Sequence, residues 1–144
     1  MYCLRARSAC LPCQPRPQER GAARDAGAEI LKLVAAGFEV EAHRLPHYTM
    51  EAYGFRVSAD EKTLAYSGDS APTRELAELA RGADLFLCEA TLAEDGRDGD
   101  PRGHLSASEA LAAADGPILL THRPVELPPP DGVPLAHDGL VVEI

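Results

Sequence analysis

Four short segments of this 144-residue sequence set an imidazole or a carboxylate at the end of an apolar stretch. They are Leu45-Pro46-His47-Tyr48, Tyr66-Ser67-Gly68-Asp69-Ser70, Glu89-Ala90-Thr91 with the later Gly103-His104-Leu105-Ser106, and Leu119-Leu120-Thr121-His122. Neutral imidazole and carboxylate suit zinc and related ions, and both can transfer protons. A carboxylate has two oxygens and can join two cations, and Gly68 lets the backbone turn sharply just before Asp69. His47, Asp69 and His122 are far apart in the sequence, so no local signature ties them together. From the residues alone the chemistry is a metal or acid–base site. Plainer roles stand beside it: a turn aspartate at 69, loop histidines at 47 and 122, a helix-start histidine at 104 and a strand-end charge at Glu89. His43 and His137 match no motif and are taken as surface or structural residues.

To meet, these segments need strands that end on a common edge. Phe38, Val40, Ala42 and Leu45 give Phe38–Leu45 a strand-like alternation. Tyr53–Ser58 and Thr63–Ser67 are two more short strands, and the polar Ala59–Lys62 between them reads as a hairpin loop. Pro72–Arg81 is a helix with Pro72 in its first turn, Gly82 just past its end, and Leu76, Leu79 and Ala80 as its apolar stripe. Leu85–Cys88 and Pro117–Leu120 are continuous apolar runs, suited to strands covered on both faces. Ala93–Gly103 is a Gly- and Asp-rich loop. Ser106–Ala114 is a helix opened by a capping box of Ser106 and Glu109. Arg123–Pro134 is a Pro-rich connection and Leu140–Ile144 a final strand. Upstream, Ala28, Leu31 and Val34 predict a helix over Glu19–Ala36 that stops at Gly37, preceded by a poorly ordered leader. The fold class is α/β.

Length and a 45% hydrophobic content imply a folded domain. The formal net charge of −9 argues against a general nucleic-acid surface, though not against a nucleic-acid substrate held through cations. No apolar run is long enough to span a bilayer, so no membrane partner is expected. Met1–Gln18 lacks an apolar signal region, which favours the cytoplasm and free thiols. Cys10-Leu11-Pro12-Cys13 is a C-x-x-C pair without the further ligands or βαβ context of a zinc or redox motif, and is read as incidental; Cys88 reads as an inert core thiol. The acidic stretch Glu94–Asp100 reads as a solvated loop, with an active-site rim as the alternative.

Taken together, Tyr53-Gly54-Phe55-Arg56-Val57, Thr63–Asp69, Ala83-Asp84-Leu85, Cys88-Glu89-Ala90-Thr91, His104-Leu105-Ser106-Ala107-Ser108-Glu109-Ala110 and Leu120-Thr121-His122 resemble the second half of metallo-β-lactamase-fold hydrolases. Their order and spacing are similar to the ribonuclease Z and cyclic phosphodiesterase subgroup. The resemblance covers about Phe38 to Ile144 and implies a partial αββα sandwich, with residues 1–36 as leader and candidate helix and 37–144 as the C-terminal half of the domain. It implies His47 and His122 as ligands of two metals and Asp69 as the bridge between them. His104 would contact a scissile phosphate and supply a proton to the leaving group, and Glu89 would orient His104. Zinc is the implied metal, with manganese or iron as alternatives. The implied substrate is a phosphodiester, RNA included.

The family's His-x-His-x-Asp-His motif, which supplies most other ligands and the water-activating carboxylate, is absent from this sequence. Three ligands do not fix two ions. The enzyme reading therefore stands beside a second: a non-catalytic remnant or interaction fragment with weak or no metal binding. A third possibility is that the motif belongs to an upstream segment lost through a misplaced or frame-shifted gene start. A half-sandwich also exposes the apolar sheet face that its other half would cover. This predicts poor solubility, a homo-oligomer, or pairing with a missing N-terminal half.

Overall fold

The computed structural model describes residues 30–144. It contains one six-stranded sheet whose spatial order follows the sequence: β1 (Ile30–Ala35), β2 (Phe38–His47), β3 (Met50–Ala59), β4 (Lys62–Tyr66), β5 (Leu85–Glu89) and β6 (Ile118–Thr121). Helix α1 (Arg74–Ala80) joins β4 to β5, and α2 (Ala107–Ala113) precedes β6. Strands β1 to β4 are antiparallel hairpins, while β4, β5 and β6 are parallel and need the helical crossovers.

Short turns make the hairpins. Ala36 and Gly37 both have positive φ, as do Asp60 and Glu61, the pattern that matches the twist of paired strands. Gly37 is thus a turn residue and not a helix stop. The helix expected over Glu19–Ala36 is corrected where it can be seen: Ile30–Ala35 pairs residue by residue with Phe38–His43 as a strand. Tertiary pairing has overridden the helical spacing of Leu31 and Val34. The remainder of that helix, the leader and the Cys10–Cys13 pair lie outside the described residues. The final strand expected at Leu140–Ile144 is also corrected: the segment has no ladder partner and is exposed.

Helix α1 starts after Thr73, so Pro72 precedes the helix instead of sitting in its first turn. The capping box of α2 forms as expected, with Ser106 Oγ accepting from the Glu109 N–H and the Glu109 carboxylate accepting from the Ser106 N–H. Both helices lie on one face of the sheet. There Leu45, Ala65, Phe86, Cys88 and Leu120 pack with Leu76, Leu79, Leu105 and Ala110 into the core. Gly54 is part of this contact, since a Cβ there would meet Leu79 Cδ2 at 2.5 Å and Leu45 Cδ1 at 2.8 Å. Burial holds the Cys88 thiol up at about 12, which makes it unreactive.

The opposite face is apolar and carries no helix among the described residues. Register sets Leu31, Ala42, Phe55, Tyr66, Leu87 and Leu119 in one row, and Leu33, Val40, Val57, Leu64 and Leu85 in the next. Leu31, Leu33, Phe38, Phe55 and Tyr66 are exposed, as expected of one layer of a sandwich. The two edges of the sheet differ. The outer side of β6 pairs with the returning chain through Leu120 N–H to Pro134 O and Ala136 N–H to Leu120 O, whereas no described residue pairs with the outer side of β1. No helix among the described residues is long and apolar enough to cross a membrane.

Candidate functional site

Alternating strand direction decides where the site lies. β2 runs the same way as β4, β5 and β6, so the C-terminal ends of all four meet at one edge of the sheet. His47 and Glu89 are the last residues of β2 and β5. Asp69 and His122 follow β4 and β6, and His104 lies just ahead of the capped helix α2. The loops are tied across this edge: the Ala71 N–H donates to Pro46 O at 2.7 Å, and the Ala90 N–H to Thr121 O at 3.0 Å. Gly68 turns with φ of +57°, and a Cβ there would lie 2.7 Å from Tyr53 O.

All five sequence-predicted residues come together. His47, Asp69 and His104 each offer a ligand atom within 4.8 Å of the others, and so do Glu89, His104 and His122. The ring centroids of His47 and His104 are 4.9 Å apart, and those of His104 and His122 are 5.5 Å apart. Asp69 Oδ1 lies 2.9 Å from His122 Nδ1, and both side chains are substantially exposed. His43 lies away from this group, buried beside Glu41, and His137 is exposed and contacts its neighbour's carbonyl.

The imidazoles are oriented by their second nitrogens. His47 Nδ1 is 2.8 Å from Gly103 O, a pure acceptor, so this nitrogen carries the hydrogen and Nε2 keeps its lone pair. That is the form in which a histidine binds a cation. His104 Nδ1 donates to Glu89 Oε1 at 2.9 Å. His122 stands in the left-handed region with φ of +49°, a strain of roughly 1–3 kcal/mol. The Thr91 hydroxyl lies 3.0 Å from its carbonyl and 3.3 Å from its Nδ1, and restrains it there.

Two carboxylates share the site in opposite circumstances. Glu89 is fully buried and accepts from five groups: the Ser70, Thr91 and Leu105 N–H, the Thr91 hydroxyl and His104. Both its oxygens are committed, which suits holding loops and a histidine more than ligating an ion. Asp69, 41% exposed, retains free acceptor capacity. By donor chemistry His47 and Asp69, grouped with His104, and His122, which meets both His104 and Asp69, suit divalent cations, while the committed oxygens of Glu89 suit a supporting role.

Further residues around the site had no assigned role in the sequence reading. Arg102 grips the Glu109 carboxylate with both terminal nitrogens and donates to His104 O, fixing the chain on each side of Gly103. The Gly103 N–H donates to Asp98, and the Tyr48 N–H to Arg102 O. Hydrogen bonding from Arg102 holds the Glu109 carboxyl below its ordinary pKa. The acidic stretch therefore does more than face solvent, since Asp98 anchors the site loop. The sequence signals were Thr91 directly after Glu89-Ala90, and Tyr48 directly after His47.

The model of the beta-lactamase superfamily domain matches residues 13–117. An uncharacterised protein of Mycobacterium leprae is 45% identical over 86 residues, covering 56% of this chain and 30% of that protein. Ribonuclease Z of Ignicoccus hospitalis is 39% identical over 61 residues, covering 42% and 20% respectively. Among solved structures, human tRNase Z, short form, is similar with a TM-score of 0.61 and 27% identity, over 81% of this chain and 46% of that one. The metallo-β-lactamase-fold protein YhfI of Bacillus subtilis gives 0.58 and 26%, over 66% and 40%. The chain spans less than half the length of each of these relatives. With the family's model matched over most of its length and this sheet edge in place, the chain belongs to the beta-lactamase superfamily and has the metallo-β-lactamase fold.

Proposed function

We propose that this chain is the C-terminal half of a metal-dependent phosphodiesterase of the ribonuclease Z kind, contributing His47, Asp69 and His122 as ligands. The observation that carries this reading is the meeting of these three side chains with His104 and Glu89 at one sheet edge. Its support from relatives is the ribonuclease Z match. Zinc suits the mixed nitrogen and oxygen donors. When bound, a divalent cation supplies Lewis-acid stabilisation of charge developing on a phosphoryl oxygen.

The chain's own residues have separate tasks. His47 keeps Nε2 available because Gly103 O holds its other nitrogen. Asp69 offers an oxygen to each of two neighbouring positions. With Nδ1–H committed to Glu89, His104 has Nε2 to hand a proton to the departing oxygen. Glu89 positions that ring and does not touch the reacting atoms. The remaining ligands and the water-activating group would come from the half of the domain outside residues 37–144.

The test is zinc content and hydrolysis of bis(p-nitrophenyl) phosphate, measured for the wild type and Asp69→Ala. The expected result is metal in the wild type and its loss in Asp69→Ala. Equal zinc in both would reject Asp69 as a ligand. A second reading, a fragment that folds and binds metal weakly without catalysis, is favoured by the absence of any His-x-His pair in the sequence. Metal uptake without hydrolysis, even when a segment bearing the remaining ligands is supplied, selects it.

A further inference from the structure

Tyr48 occupies a place that ligand and proton chemistry leave unexplained. It follows His47 at the tip of the β2–β3 hairpin, in the left-handed region with φ of +51°, a conformation that bulky residues rarely adopt. Its ring centroid lies 4.7 Å from that of His47 and 5.7 Å from that of His104. One side of the ring rests on Gly103, where a Cβ would come within 2.4 Å of Tyr48 Cε2; only glycine leaves room for the ring. The side chain is half-buried, so part of it stays open to solvent beside the imidazoles. A strained backbone, a glycine seat and a backbone tie to Arg102 together hold an aromatic ring at the mouth of the site.

We propose that Tyr48 is a substrate-binding residue: its ring is the platform on which the base of a nucleotide stacks when the nucleotide's phosphate lies against His104. This rests on the phosphodiesterase reading of the same site and names the part of the substrate next to the phosphate. Two observations favour a base over other neighbours. The ring stands within one ring contact of His104, against which the phosphate would lie, and of the ligand His47, close enough for the sugar to bridge the gap. The carboxylates of Asp98 and Glu89, which hold Gly103 and His104 beside the ring, repel a further phosphate and tolerate a neutral planar group. Stacking is the contact such a group makes with tyrosine, and it does not depend on base identity.

The test compares two ligands that differ only in the base. Calorimetric titration of the full chain with adenosine 5′-monophosphate and with ribose 5-phosphate, in wild type, Tyr48→Phe and Tyr48→Leu, separates stacking from phosphate binding. The wild type is expected to bind the nucleotide roughly tenfold more tightly. Tyr48→Phe keeps that preference, and Tyr48→Leu loses it with the ribose 5-phosphate Kd unchanged. Equal affinity for both ligands in the wild type, or no binding of either, overturns the proposal and requires no variant to fold. So does a preference that survives in Tyr48→Leu, or an equal weakening of both ligands, which marks a ring that only braces the loop. A base preference in a chain that takes up no zinc would reject the metal-dependent reading and leave the platform standing.

Discussion

The two ends of the sheet are built on different principles. Toward β6 the strands are short and parallel, with α1 packed over β2 to β4 and α2 over β5 and β6, and the largest buried side chains lie in this helix-covered layer: Phe86, Leu76, Leu79, Leu105 and Leu120. Around β1 and the start of β2 the strands are antiparallel and held chiefly by backbone pairing, with Leu31, Leu33 and Phe38 exposed. Local pairing suffices to shape the hairpin end, but burial stabilises only the helix-backed end. The site sits at the seam: His47 comes from the hairpin end, and the other four residues come from the helix-backed end. A ligand set divided in this way reports on both regions at once.

The sharpest test of the difference is Glu89→Ala. It strands five donors in a fully buried place, and the expected loss is about 3 kcal/mol or more by urea denaturation. Leu79→Ala, in the middle of the core, should cost about 3 kcal/mol in the same assay. Ser106→Ala removes one half of the α2 capping box and should cost about 1 kcal/mol.

The Arg102–Glu109 pair gives a pH dependence. Because the folded state holds Glu109 below its ordinary pKa, its contribution is present above the usual carboxylate range and is lost as pH falls through the lowered value. Glu109→Gln should therefore cost about 1 kcal/mol or less at pH 7, discounted for partial exposure, and progressively less toward pH 3 in thermal melts. Smallest is Leu33→Ser at the hairpin end, expected to shift stability by less than about 0.5 kcal/mol while reducing self-association in light scattering. If Leu33→Ser costs as much as Leu79→Ala, the contrast between the two ends is wrong.

The helix-backed end was legible in the sequence because its signals are local and agree with one another. The apolar runs of β5 and β6, the stripe of α1 and the Ser106–Glu109 box each point to the element that forms. The hairpin end was legible only from Phe38 onward. In Ile30–Ala35 the apolar residues fit a helix as well as a strand, and only the partner β2 decides between them. Leu140–Ile144 failed for the converse reason: the neighbouring edge of β6 is already paired with the segment around Leu135, so a strand-like composition finds no ladder there. The site residues were visible by type, and the resemblance gave them roles. Their meeting could not be read from spacing, since it depends on four strands sharing a direction. Tyr48, Asp98 and Arg102 escaped because their contacts run through backbone atoms and through the missing side chain of Gly103.

The unequal borders of the sheet set a limit on how copies of this chain can accumulate. With the flank of β6 already occupied by the segment around Leu135, strand addition to the described sheet can proceed only along β1. Two described sheets that met there about a two-fold axis would each use the one ladder that no described residue pairs with and have none left to extend. Edge-to-edge growth of the described sheet therefore stops at a pair, and any larger aggregate must form through the greasy broad side instead.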